Sequence, residues 1–95
     1  MSLSTEVQAR VATQLLVELT NPNDNTASSI DTTLLGKAVD DVEGDFLSYG
    51  ITIDVTNKAH VVVAVDGALY RLMAYKGGPE VGAMRSRYHE ALERL

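Results

Sequence analysis

The chain has no cysteine and no tryptophan, and only one phenylalanine and two prolines in 95 residues. Without cysteine, disulfide scaffolds, zinc ribbons and thiol chemistry are excluded. No apolar run approaches the ~20 residues of a membrane span. The opening residues, Met1 to Glu6, show neither a basic n-region nor an apolar h-region, so no signal peptide is expected. Basic residues are also scarce. Eight Lys and Arg stand against thirteen Asp and Glu, and the net charge of −5 weighs against nonspecific nucleic-acid binding.

What is present is an ordinary globular balance, 45% hydrophobic and 22% charged. A chain of this length is one domain, residues 1–95, and buries roughly 60–65% of its unfolded surface. Its charge is uneven. Residues 1–56 carry nine acids against Arg10 and Lys37, whereas residues 57–95 carry four acids against six bases. That polarity suits head-to-tail contacts between copies.

Apolar periodicity predicts four helices. The first covers residues 4–19, where Thr5 to Gln8 fits a capping box and Val7, Val11, Leu15 and Leu19 form a stripe. Asn21-Pro22 ends it, and a polar loop follows to Ser29. The second helix covers residues 31–49, capped by Ser29 or Asp31 and stopped by Gly50. Leu34, Leu35, Ala38, Val39, Val42 and Phe46 form its buried face, and Lys37, Asp40, Asp41, Asp45 and Ser48 the opposite side. Gly36 and Gly44 point to close approach of another helix. The stretch 51–65 is ambiguous. Ile51 to Val55 alternates with period two, and a hairpin with the β-branched run 60–65 would make the fold α+β. A helix over residues 57–76, capped by Asn57 and stopped by Gly77-Gly78, is favoured because strands rarely exceed about ten residues. The last helix starts at Gly78-Pro79-Glu80 and buries Val81, Met84, Tyr88, Leu92 and Leu95. The expected fold is all-α, a small four-helix domain.

Chemical motifs are sparse. Asp40, Asp41, Glu43 and Asp45 are the densest acidic cluster, but they fan around a helix rather than converge as hard-cation ligands do. They read as a solvated face or a face for a basic partner. The loop from Asn21 fails as a calcium loop, having Thr26 where glycine and Thr32 where glutamate belong. His60 and His89 have no partner at metal-ligand spacing. No serine sits in a nucleophile elbow, and Gly77-Gly78 lacks the rest of a phosphate loop. Asp66 and Arg71, five apart, do not share a helix face, so each is expected to pair on another helix or subunit. No enzyme activity, cofactor or metal is expected. The chain reads as an interaction module.

From Leu15 onward the sequence resembles the small neck, or head–tail connector, proteins of tailed phages, closest to the family typified by Mu-like prophages. The runs that carry the resemblance are Leu15 to Asn21 into an Asp/Asn loop, Ile30 to Leu35, Val42 to Tyr49, Val65 to Leu72, and the closing Arg87-Tyr88-His89-Glu90-Ala91-Leu92. The resemblance implies an adaptor role in the virion neck, built in the host cytoplasm. A ring of copies, commonly twelve, would join portal to tail or stopper proteins and pass DNA as cargo, with no membrane involved. Asp40, Asp41, Glu43, Asp45, Asp66, Arg71, Arg85 and Arg87 are then the candidate intersubunit or partner contacts. The alternative is a small acidic helical regulator, antitoxin- or inhibitor-like, that binds one basic protein.

Overall fold

Short side chains at the helix starts set the boundaries of this chain. In the computed structural model, which describes residues 2–77 and 81–95, Ser2 accepts from the Thr5 amide and opens α1 (Leu3–Arg10). Asp31 accepts from the amides of Thr33 and Leu34 and opens α3 (Thr32–Ser48). Asn57 accepts from Ala59 and His60 and opens α4 (Lys58–Lys76). Each cap satisfies amides that the first helical turn leaves without a partner. At the other ends Gly50 and Gly77 take positive φ, 75° and 83°, which a side chain with a β-carbon resists. α2 (Thr13–Thr20) and α5 (Val81–Arg94) complete the set.

Among the described residues the fold is all-α, with five helices rather than four, because the first expected helix is divided. Val11 adopts φ −107°, ψ 139° and Ala12 φ −55°, ψ 130°, so both leave helical geometry. In one straight helix a stripe repeating every four residues would drift round the axis, since the turn holds 3.6. The break turns Leu3 and Val7 of α1 and Leu16 and Leu19 of α2 into one core, against α4 and α3. The helix also starts a turn earlier than the expected capping box, on Ser2, and Gln8 Nε2 donates to Ser4 Oγ, where the capping box would have the Gln8 side-chain carbonyl oxygen accept from the cap amide.

Residues 51–65 form no hairpin, and no strand occurs among the described residues. Ile51, Ile53 and Val55 are nevertheless half-buried while Thr52 and Asp54 are exposed. The period-two pattern is that of an extended connection laid over the core with one side inward. Helix α4 is the centre of the domain and packs against each of the other four helices. Its buried residues, including Val61, Ala64, Ala68 and Leu72, meet Leu35, Ala38, Val42 and Phe46 of α3. Tyr88 and Leu92 bring α5 onto the same core. Leu95, expected in the core, is 40% exposed because α5 ends at Arg94. The expected start of this helix at Gly78-Pro79-Glu80 lies outside the described residues.

The 21–31 loop is held by two side chains. Thr20 is buried; its hydroxyl donates to the Leu16 carbonyl at 2.7 Å and accepts from the Asp31 amide at 3.0 Å. Asn21 Nδ2 donates to the carbonyls of Val17 and Ser29, each at 2.9 Å. The end of α2 is thereby fixed to the start of α3.

Candidate functional site

Asp41 and Asp45 do not lie on the solvent side of α3. Both are half-buried against α4, where the structure spends their charge inside the domain. Asp45 Oδ2 accepts from Arg71 Nε at 3.1 Å and from the Tyr88 hydroxyl at 3.1 Å, and Oδ1 accepts from Arg71 Nη2. The fork geometry is the bidentate pairing that guanidinium makes with carboxylate. One turn earlier Asp41 accepts from the Tyr75 hydroxyl. A further turn back, Lys37 Nζ stands 4.4 Å from the centre of the Tyr75 ring. Lys37, Asp41 and Asp45 recur every four residues on α3 and meet Arg71 and Tyr75, also four apart, on α4. Tyr88 closes the seam from α5, with its ring centre 5.8 Å from that of Tyr70.

The electrostatics follow from this geometry. The hydrogen bond to Asp45 raises the Arg71 pKa further above its ordinary value, so the guanidinium stays charged. Burial, then the bond to Asp41, pushes the Tyr75 hydroxyl up. Burial, then the Asp45 charge and hydrogen bond, does the same for Tyr88. Both phenols are held neutral as donors. Chemically the seam is a set of satisfied donors and acceptors joining α3, α4 and α5.

The expected contacts therefore separate into two groups. Asp41, Asp45 and Arg71 are used within the chain. Asp40 and Glu43 on α3, Asp66 on α4, and Arg85 and Arg87 on α5 are exposed. Arg71 pairs on another helix as expected, 26 residues away in sequence, and Asp66 takes no part in that pair. Among the described residues no group of three or more His, Asp or Glu side chains is placed to hold a metal ion. No helix is long and apolar enough to cross a membrane among the same residues.

The histidines and the loop acids also serve local structure. His60 Nδ1 accepts from the Asp54 amide at 3.1 Å, so the neutral ring carries its proton on Nε2. His89 Nδ1 shares a 3.0 Å hydrogen bond with the Tyr49 hydroxyl. In the 21–29 loop Asp24 Oδ1 accepts from both the hydroxyl and the amide of Thr26, and Asp54 repeats this with Thr56. These bonds lower both carboxyl pKa values, the threonine hydroxyl contributing most. The loop is an Asx-type turn.

Two apolar surfaces were not legible as sites in the sequence. An open groove of about 480 Å³ lies between the start of α4 and the end of α5, floored by Ala59, Val62, Val63, Ala91 and Leu95 and rimmed by Lys58 and Arg94. A second hollow of about 280 Å³ is lined by Leu3, Glu43, Leu47, Ile53 and Val55. Leu47 is 62% exposed and Val62 52% exposed, each set in one of these apolar surfaces. The available signal was a leucine and a valine falling outside the buried stripe of their own helices.

Comparison of the chain with family models, with curated proteins and with solved structures finds no match.

Proposed function

We propose that this chain is a head–tail connector subunit, a structural rather than catalytic protein that forms a ring between portal and tail and lets DNA pass. The observation that carries the reading is the succession of connector-like runs from Leu15 to Leu92 within one small all-helical domain. The distribution of charge supports it. With Asp41, Asp45 and Arg71 paired internally, Asp40 and Glu43 of α3 stand at the surface, as do Arg85 and Arg87 in the first half of α5, ahead of the exposed Glu90 and Glu93. Complementary patches on different parts of one molecule suit a heterologous contact, the kind that closes into a ring. A net charge of −5 also suits a channel that DNA crosses without adhering, because like charges repel.

The test is the mass in solution, by light scattering after size exclusion, of the chain alone and mixed with a candidate portal protein. A multi-copy ring on the portal is the expected result. A monomer or dimer that ignores portal sinks the connector reading and favours the acidic regulator, whose target a pull-down would then recover.

A further inference from the structure

We propose that the groove between the start of α4 and the end of α5 seats the Leu47 ridge of a second copy of this chain. Each surface has an exposed apolar centre, and the charged residues that line it are of one sign. In the groove, Val62 and Leu95 are 52% and 40% exposed, and Lys58 and Arg94 stand on the rim. Lys58 and Val62 are one helical turn apart, so the aliphatic stem of the lysine extends the apolar floor while its ammonium stays in water. On the ridge, Asp40, Glu43 and Leu47 follow one another at three and four residues, a single stripe of α3. Both acids are exposed, and neither is used in the Asp45–Arg71 seam.

Charge selects how copies meet. Two grooves face to face would set Lys58 and Arg94 against their own counterparts, and two ridges would oppose Asp40 and Glu43 in the same way. Groove on ridge instead pairs bases with acids while Leu47 enters among Val62, Ala91 and Leu95. The two surfaces share no residue, so one copy offers both. Such a contact is heterologous and continues from copy to copy. Its place in a virion rests on the connector reading; the contact itself is a property of this chain alone.

Two variants test it, Leu47→Asp and Val62→Asp, both at exposed positions and both checked for helix content by circular dichroism. Mass is measured for the chain alone and on a candidate portal. Each variant by itself is expected to lose the multi-copy species and run as the 10.3 kDa chain. Mixed, they are expected to form a pair of twice that mass and stop there, through the one intact groove and the one intact ridge. As a second pair of chains, Lys58→Glu with Arg94→Glu and Asp40→Lys with Glu43→Lys should each fail alone and regain multi-copy mass when mixed. Unchanged assembly of either aspartate variant overturns the proposal, as does failure of the mixture to pair. A wild-type chain that stays at 10.3 kDa in both settings up to millimolar concentration overturns it too. Portal binding with unaltered assembly in Leu47→Asp removes this contact and leaves the connector reading. The expected pairing in a chain that binds no portal keeps the contact and removes that reading.

Discussion

Tyr88 of α5 lies so close to Gly67 of α4 that a β-carbon at position 67 would stand 2.5 Å from the tyrosine ring. Gly67 is buried, Tyr88 is 2% exposed, and the tyrosine hydroxyl is held by Asp45 at 3.1 Å. Burial and the bond to Asp45 both resist a shift of the ring. A glycine in the middle of a helix costs roughly 1 kcal/mol relative to alanine, and here that cost secures the α4–α5 approach.

Gly67→Ala is accordingly expected to destabilise the domain by about 1–3 kcal/mol, the range for forcing extra volume into a packed site. Gly36→Ala and Gly44→Ala should do the opposite and add roughly 0.5–1 kcal/mol each. Both lie within α3, and a β-carbon at either meets nothing within 4 Å among the described residues. Close helix approach, the expected reason for these two glycines, belongs to Gly67 instead. Urea unfolding of the three variants measures all the signs at once; a stabilised Gly67→Ala would contradict the close approach.

Asp45 is the acceptor on which the polar seam converges. Its side chain is 13% exposed and that of Arg71 is 29% exposed, so the pair is better shielded than an ordinary surface ion pair. Asp45→Asn is expected to cost about 2 kcal/mol, the scale of hydrogen bonds to a charged group. Asp40→Asn, on the exposed side, should stay within about 0.5 kcal/mol. A double-mutant cycle with Arg71→Met separates the pair from the rest of the seam. A coupling near zero would place the stabilisation elsewhere.

The phenols of Tyr75 and Tyr88 give the fold an alkaline limit. Their pKa values are raised in the folded state, so the unfolded chain loses these protons first as pH climbs. The stability they contribute is fully present below about pH 10, the ordinary tyrosine value, and is lost as pH rises toward the folded values. Denaturation from about pH 8 to about pH 11 should therefore show stability falling at the upper end. Tyr88→Phe should be less stable than wild type at neutral pH by about 1 kcal/mol, and the gap should narrow in alkali. A gap that stays constant with pH would show that the hydroxyl is not held neutral by the fold.

Arg85 and Arg87 carry the charge test of assembly. Both are exposed on α5, and Arg87 stands seven residues before Arg94, on the same stripe as Ala91. Reversing both to glutamate should weaken self-association, and by less as salt screens the contact. Unchanged assembly at moderate salt would remove these two arginines from the interface.

Helix identity was legible where the signals are local, and pairing was not. Asn57, Asp31, Gly50 and Gly77 mark boundaries that the structure reproduces, because a cap is decided by a few adjacent residues. The Asp45–Arg71 and Asp41–Tyr75 contacts join residues 26 and 34 apart, and sequence spacing on one helix says nothing about the face of another. The acidic run 40–45 therefore read as one surface, although half of it is spent on α4. Alternation at 51–55 read as a strand signal, but an extended chain without a partner strand has the same period, with Ile51, Ile53 and Val55 on its inner side. The break at Val11-Ala12 had no glycine or proline to announce it; the packing of α1 and α2 on α4 decides it.

That break yields the sharpest single substitution. Ala12 has φ −55°, within the range proline requires, and Val11 before it is extended, as a residue preceding proline must be. Ala12 is also exposed, so the ring meets no packed neighbour. In a continuous helix over residues 4–19, Ala12→Pro would remove an internal hydrogen bond and cost about 3 kcal/mol or more. With the chain already turned at this point, the same substitution restricts mainly the unfolded state and should leave stability unchanged or raise it by about 0.4–1 kcal/mol. Thermal and urea unfolding distinguish the two outcomes cleanly. A loss of several kcal/mol would mean that α1 and α2 run on as one helix in solution, and that the stripe of Val7, Val11, Leu15 and Leu19 is satisfied by a different packing on α4.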